Sequence, residues 1–522
     1  MIKPPIFEAL SYFISFILFF TSYFSFSQAF TDPRVAKDYF KHKNYRAAIP
    51  EFEKLIKQEP DDPENYHHLG ICFLQTNIDK SKAIQPLERA VKFANAEPET
   101  YFDLGWAYQL NYKFDDAIKM YKKYKPLESD IAKASKADRQ IETCITAREL
   151  MKHPVEVTFQ NLGKEINSEF ADYYPFAAKD ESFIVFTSRR KGNVGGEEEF
   201  DGLFPSDIWI AEKTGGSLGK AKNAGGIINS SYDEEAVGLS DDGKSMFIYL
   251  DQIDKFGDIF MAERKSKAFQ KAIKLGTNVN SSSLETAASI SADGYSLFFS
   301  SAMDGGQGGL DLYMCKKLPD GEWALPQNLG PQINTKYNED FPTLSADGHT
   351  LYFCSEGHSS MGGFDIFVSV FDDEDNFWIP PQNVGYPLNT PDDERVISFS
   401  ENKNTAYVSA FRKGGFGDLD IYKVFFNNAN VPLLAYQFKL KDKFESFLTL
   451  DAKVLLFDET MDLVGTYQPN PNNGVYTTIL AQGKYTLSIE SSRYQPVKTN
   501  ISISESDIKK GPIRKDILLL PK

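Results

Sequence analysis

The pattern of apolar and polar positions changes character three times along the chain. Behind Lys3, residues 9–30 form an uncharged run rich in Phe, Ile, Leu and Ser. Ser27-Gln28-Ala29 places small residues at the −3 and −1 positions of a cleavage site, so residues 1–29 read as a secretory signal peptide and the chain as exported. The run is also long enough to span a bilayer, which makes an uncleaved N-terminal membrane anchor the alternative. From Asp32 to about Met151 the apolar residues recur at helical spacing. From Val155 onward they alternate in short runs bounded by Gly, Asp and Asn, the signature of strands and tight turns.

The helical stretch repeats itself every 34 to 35 residues. Leu69-Gly70 with Phe73 returns as Leu104-Gly105 with Tyr108, and Ala36 with Tyr39 is a weaker copy. Ala48, Ala83 and Ala117 follow at the second-helix position, each with a bulky residue (Phe52, Leu87, Tyr121) four positions on. Small residues there let paired helices approach closely. Ile131 to Met151 is predicted as a closing helix. The first helices of such repeats line a groove, and His67, Ile71, Leu74, Phe102, Trp106 and Gln109 are the residues predicted to face it. The competing expectation is that several of them pack against the closing helix or against the strand-rich propeller that follows.

The strand stretch repeats too, and its clearest copy is residues 328–367. N-E-D-F-P-T-L-S-A-D-G and H-T-L-Y-F-C-S predict a hairpin on an Asp-Gly turn, with F-D-I-F as a third strand and Trp378 to Val384 as a fourth. The aspartate of the third strand recurs at Asp207, Asp258, Asp311, Asp365 and Asp420, at intervals of 51, 53, 54 and 55 residues. Four short strands repeated five times predict a five-bladed β-propeller. No fourth strand follows Tyr422, whereas Val155 to Leu162 is a strand ahead of any blade, so the two are predicted to pair and close the ring. Counting back six residues from each turn gives Asp172, Glu234, Glu285, Glu339 and Glu394, all acidic. Such equivalent positions are expected to form a ring at one channel mouth, where crowded carboxylates would favour a cation or basic peptide. The competing expectation is that each acid caps backbone N–H groups.

Composition sharpens this outline. The net charge is −16, and residues 151–425 alone carry 24 basic and 42 acidic residues. An acidic propeller makes nucleic acid and anionic lipid poor partners. Cys72, Cys144, Cys315 and Cys354 show no metal-ligand spacing and read as buried apolar residues, with a Cys72–Cys144 disulfide as the alternative. There is no G-x-S-x-G elbow, no H-E-x-x-H and no phosphate loop. No catalytic residue, metal or cofactor is assigned.

Three resemblances follow from these motifs. The S-A-D-G and G-x-x-D-I-Y copies between Val155 and Val424 resemble the PD40 (WD40-like) repeats of TolB-like propellers. The helical repeats resemble the tetratricopeptide (TPR) consensus, with one residue inserted near Asn77-Ile78-Asp79. Gly474-Val475-Tyr476, Gly483-Lys484-Tyr485 and Tyr494-Gln495-Pro496 resemble carboxypeptidase-regulatory-like sandwich domains. The expected organisation is therefore multidomain, α plus all-β: signal peptide 1–29, TPR solenoid 30–152, five-bladed propeller 153–428 and β-sandwich 429–522. This order resembles periplasmic envelope proteins of Bacteroidota associated with type IX secretion. Their OmpA-like peptidoglycan-binding domain is not read before Lys522, so peptidoglycan anchoring is not carried over. The resemblance implies a non-enzymatic scaffold or adaptor in the periplasm, associated with the outer membrane, holding envelope proteins or peptides through the TPR groove and the propeller face. The alternative is a carbohydrate- or cation-binding propeller or a cryptic glycosidase.

Overall fold

A computed structural model describes residues 32–522 apart from 153, 253–254, 374–375, 402, 428–433, 443–451, 462, 468, 470–473, 481 and 509–512. The expected signal peptide lies outside the described residues, and no described helix is long and apolar enough to cross a membrane.

Seven α-helices open the described chain: α1 (Pro33–Lys41), α2 (Tyr45–Gln58), α3 (Pro63–Leu74), α4 (Ile84–Ala90), α5 (Pro98–Leu110), α6 (Phe114–Tyr124) and α7 (Ile131–Leu150). Proline starts α1, α3 and α5, where its missing N–H costs nothing. Asp32, Asp62 and Asp130 cap α1, α3 and α7 by accepting backbone N–H groups. The inserted residue of the second repeat is absorbed by a 3-10 turn, Lys80–Ala83, ahead of a short α4. Gly105 lies against Tyr121 so closely that an added Cβ would stand 2.8 Å from the ring, and Gly70 is as tightly set against Leu87. Ala48, Ala83 and Ala117, the small residues expected to let paired helices approach, are fully buried. Cys72 and Cys144 are free and buried in separate clusters, so they do not form a disulfide.

Residues 157–426 form five antiparallel sheets of four or five strands, a propeller-like β fold. Their first strands are Asp172–Ala177, Asp233–Leu239, Glu285–Ile290, Glu339–Leu344 and Ser398–Phe399. The D-I-Y strands are third in each sheet: Asp207–Thr214, Lys255–Lys265, Asp311–Lys316, Asp365–Asp372 and Asp420–Phe426. The expected fourth strand at Trp378–Val384 is two short ones, Phe377–Trp378 and Gln382–Asn383, both paired with Asp365–Asp372. Val157–Asn161 pairs antiparallel with Asp420–Phe426 and completes the last sheet. Neighbouring sheets are joined by one recurring bond. The N–H at the start of a first strand donates to the carbonyl just before the preceding D-I-Y aspartate, as in Glu234 to Ser206, Glu339 to Leu310, Glu394 to Phe364 and, across the closure, Asp172 to Leu419.

Beyond residue 433 two further sheets pack face to face. One orders Val475–Leu480, Leu434–Lys441 and Ile513–Leu518, and the other Leu463–Tyr467, Lys453–Phe457, Gly483–Glu490 and Val497–Ile503. Tyr436, Phe438, Val454, Leu456, Tyr476, Leu487 and Ile489 fill the space between them.

Candidate functional site

The five repeat acids do not form a ring of free carboxylates. Each is buried, and each accepts from the backbone N–H of the Ser or Thr four residues earlier. The distances are 2.6 Å for Ser168 to Asp172, 2.8 Å for Ser230 to Glu234, 3.0 Å for Ser281 to Glu285 and 2.7 Å for both Thr335 to Glu339 and Thr390 to Glu394. The hydroxyl of the same Ser or Thr donates to the carboxylate as well. Ser301 and Ser355 add third bonds to Glu285 and Glu339, and Arg190 pairs with Asp172. The expected cation site at Asp172, Glu234, Glu285, Glu339 and Glu394 is therefore corrected: the acids cap backbone. Among the described residues no group of three or more His, Cys, Asp or Glu side chains is placed to hold a metal.

Strand alternation explains the misplacement. Successive side chains point to opposite faces, so where the acid faces the seam between two sheets, its neighbour takes the other face. Tyr173, Glu235, Thr286, Asp340 and Arg395 occupy that next position and meet each other. The Tyr173 hydroxyl donates to Glu235 over 2.8 Å, Thr286 donates to Asp340 over 2.7 Å, and Arg395 lies 3.9 Å from Asp340. The rings of Tyr174 and Phe341, from the first and fourth sheets, meet at a tilt with centroids 4.5 Å apart. Burial pushes Glu235 up to about 7. The centre is thus filled by a charge-bearing, hydrogen-bonded plug.

Sequence reasoning also missed a second repeat motif. Asn167, Asn229, Asn280, Asn334 and Asn389 each precede the capping Ser or Thr, and each accepts the N–H of the residue after a D-I-Y aspartate. The recurring N-[S/T]-x-x-x-[D/E] was the available signal. The D-I-Y aspartates accept loop N–H groups at Asp207, Asp311, Asp365 and Asp420. At Asp258 a lysine, Lys274, stands where the other sheets supply an asparagine.

The helices sit on the propeller. Arg139 of α7 donates to the carbonyls of Glu356, Gly357 and His358, over 2.7, 2.8 and 3.2 Å. Met361, from a glycine-rich propeller loop, is buried in one cluster with Phe114, Tyr121 and Cys144. Lys80 pairs with Asp392, while Arg46 and Asn77 both reach Asp418.

This docking redistributes the predicted groove residues. Gln109 is buried and bonded to Thr143 of α7 and to Tyr121, and Phe102 packs edge-on against Tyr121 and Tyr124. Both belong to the helical core rather than to an open groove, because α7 closes over them. His67 is tied to Asp103 at 2.7 Å, and Ile71 is half-buried. Leu74, itself buried, and Trp106 line a 340 Å³ cavity whose other wall is Gly362, Gly363 and Pro391–Asp393 of the propeller. Two adjoining cavities extend it. One of 630 Å³ lies between Lys80, Leu110, Tyr112, Phe159, Glu394, Arg412 and Tyr422, and one of 620 Å³ between Arg46, Asn77, Glu169 and Phe411–Gly417. The groove is thus a cleft between helices and propeller. A further cavity, 800 Å³, lies by the Asp-Gly turns and is lined by Lys179, Asp241, Arg264, Asp293 and Glu401.

No family model matches the chain, and no curated protein matches it. Solved structures with a likeness to it include TolB from Acinetobacter baumannii, 16% identical over 51% of this chain and 57% of that one, with a TM-score of 0.33. The chain thus spans little more than half of that protein. A glycosyl hydrolase from Bacteroides ovatus is 13% identical over 50% of this chain and 85% of that one, at 0.33. A β-xylosidase/α-arabinofuranosidase from a compost microbial metagenome is 12% identical over 62% and 96%, at 0.34.

Proposed function

We propose that the chain is a non-enzymatic adaptor of the cell envelope, exported to the periplasm. In this reading a TPR-type solenoid is docked on one face of a five-bladed PD40-type propeller, a regulatory-like sandwich is tied to the propeller's edge, and the cleft between solenoid and propeller holds a partner. The observation that supports it is the cleft itself. Trp106 and Leu74 of the helices face Pro391 and the Gly362-Gly363 backbone across open space, within a junction otherwise pinned by Arg139 and Lys80. Apolar anchors in a concave junction are what interfaces use.

A glycosidase needs a protonated carboxyl and a free carboxylate flanking the substrate. Of the cleft's acids, Glu394 is engaged by Thr390, Asp392 by Lys80, Asp393 by the Phe364 N–H and Asp79 by Ser81, which leaves the exposed Glu169 without a second free carboxyl to pair with. The link to type IX secretion rests on domain order alone.

A photo-crosslinking side chain placed at Phe411 in the native envelope should trap a partner, and one at Tyr295, exposed on an Asp-Gly turn, should not. Products confined to Tyr295 would move the partner to the far end of the propeller and end the cleft reading.

A further inference from the structure

The unpaired charges of the cleft narrow what it can hold. The three cavities adjoin one another along shared walls. Asp79, Ser81 and Phe411–Gly414 line both of the larger ones, and Lys80 with Pro391–Asp393 lines both the 630 and the 340 Å³ cavities. Such a shape suits an extended occupant rather than a compact one.

The acidic groups of the walls are already bonded, except the exposed Glu169 of the 620 Å³ cavity. Asp79 accepts from the N–H of Ser81 over 3.1 Å and from its hydroxyl over 2.5 Å. Asp393 accepts from the Phe364 N–H and lies 3.3 Å from Arg395. Asp392 meets Lys80.

Arg412 differs from all of them. Its guanidinium carbon sits 3.3 Å from the centroid of the Phe159 ring. Nη2 donates to the Pro387 carbonyl over 2.9 Å, while Nε is buried with no partner. Glu394 attracts it electrostatically, but that carboxylate forms its hydrogen bonds with Thr390. Lys413 beside it is exposed and has no ion-pair partner within 4 Å among the described residues. A stacked guanidinium presents a fixed planar fork; Nε is enclosed, but Nη1 forms no hydrogen bond among the described residues and is the donor that a carboxylate in the cleft would complete. Tyr112, Phe159, Phe411 and Leu110 supply an apolar surround.

We infer that Arg412 anchors the free α-carboxylate of an extended peptide, whose last side chain is apolar and lies among Tyr112, Phe159 and Phe411. An α-carboxylate is favoured over an acidic side chain because it brings the charge and the final side chain to one point. The inference rests on the cleft being the partner site.

The test uses the full chain and two fluorescein-labelled random octapeptide libraries, identical except that one ends in a free acid and the other in an amide. The tightest free-acid binder and its amide are then compared by fluorescence anisotropy. The free acid should bind on the order of ten- to a hundredfold more tightly, the range of a charge-assisted pair. That preference should vanish in Arg412→Gln and shrink in Arg412→Lys, which keeps the charge but loses the fork. Because Arg412 also packs on Phe159, Lys413→Glu serves as an exposed control. It should weaken the acid several-fold and leave the amide unchanged.

Equal affinity of acid and amide, survival of the preference in Arg412→Gln, selection of internal acidic residues, or no selected peptide would each overturn the inference. A peptide that ignores its terminus yet is lost on Trp106→Ala would leave the cleft reading standing and remove only the carboxylate anchor. No selected peptide, together with crosslinks confined to Tyr295, would remove both.

Discussion

Phe159 lies directly opposite Val424 in an antiparallel ladder that runs from Val157–Phe426 to Asn161–Tyr422. The strand that enters the propeller-like fold thus completes the sheet that ends it. Deleting residues 155–162 should expose the edge of Asp420–Phe426 and remove the bond from Asn161 to Asp420, which spans 2.7 Å. Unpaired edges pair with other chains. The deletion should therefore show concentration-dependent aggregation by light scattering. A monodisperse variant with an unchanged urea midpoint would mean that the closing strand is dispensable.

Asp365 predicts a pH dependence of definite sign. It is fully buried, with Oδ2 accepting from Met361 and Asn383 over 2.8 and 2.6 Å and Oδ1 lacking a partner. Burial pushes it up to about 7. The native state then holds a proton that the unfolded chain releases near pH 4, so this group's contribution to stability falls as pH rises from about 4 to about 7. Asp365→Asn keeps an acceptor for both donors and cannot ionise. Its stability relative to the parent chain, from urea unfolding, should rise across that window by up to about 1.4 kcal/mol per pH unit. A constant difference would show that Asp365 does not titrate there.

Arg139 joins helix to propeller through three carbonyls and lies 5.0 Å from the Tyr337 ring. Arg139→Ala should cost about 2 kcal/mol or more and should uncouple the two bodies. Hydrogen exchange in α7 should then accelerate while exchange in the Glu339–Leu344 strand stays slow. Uniform acceleration in both would point to global destabilisation instead.

Much of the fold was legible because each repeat carries its own local signals. The Asp-Gly turns fix the hairpins, Gly70 and Gly105 fix helix approach, and the orphan strand before Ile166 announced how the last sheet closes. The acids were legible as a repeat but misread as a site. Their partners are the Ser and Thr residues four positions earlier, a local bond that is visible in sequence only when those positions are aligned too. The position after each acid varies among Tyr173, Glu235, Thr286, Asp340 and Arg395 because those side chains meet at the centre, where five copies must differ to fit one another. Packing of the helices on the propeller was legible only as the competing expectation for the groove residues, and the docking geometry was not. It depends on pairs such as Lys80–Asp392 and Arg139–Gly357, joined by loops whose paths no periodicity encodes.

Among the described residues a buried charge ties the sandwich to the propeller-like fold, and this can be tested by removing either end. Asp372, 1% exposed, closes the third strand of the fourth sheet. Arg514, on the sandwich strand Ile513–Leu518, donates through Nη2 to both its oxygens over 2.7 and 2.6 Å. Gln437 donates to Asp372 over 3.1 Å and accepts from Arg514 Nε over 2.9 Å. Taking away only the cation leaves a desolvated carboxylate, which costs about 3–5 kcal/mol. Taking away both charges leaves a neutral amide that Gln437 can still satisfy. Arg514→Ala should therefore lower the urea midpoint more than the Asp372→Asn/Arg514→Ala pair does, even though the pair removes more of the contact. If the double variant is the less stable of the two, the bond's attraction outweighs its desolvation, and the tie is a net contributor to stability rather than a device that fixes where the sandwich docks.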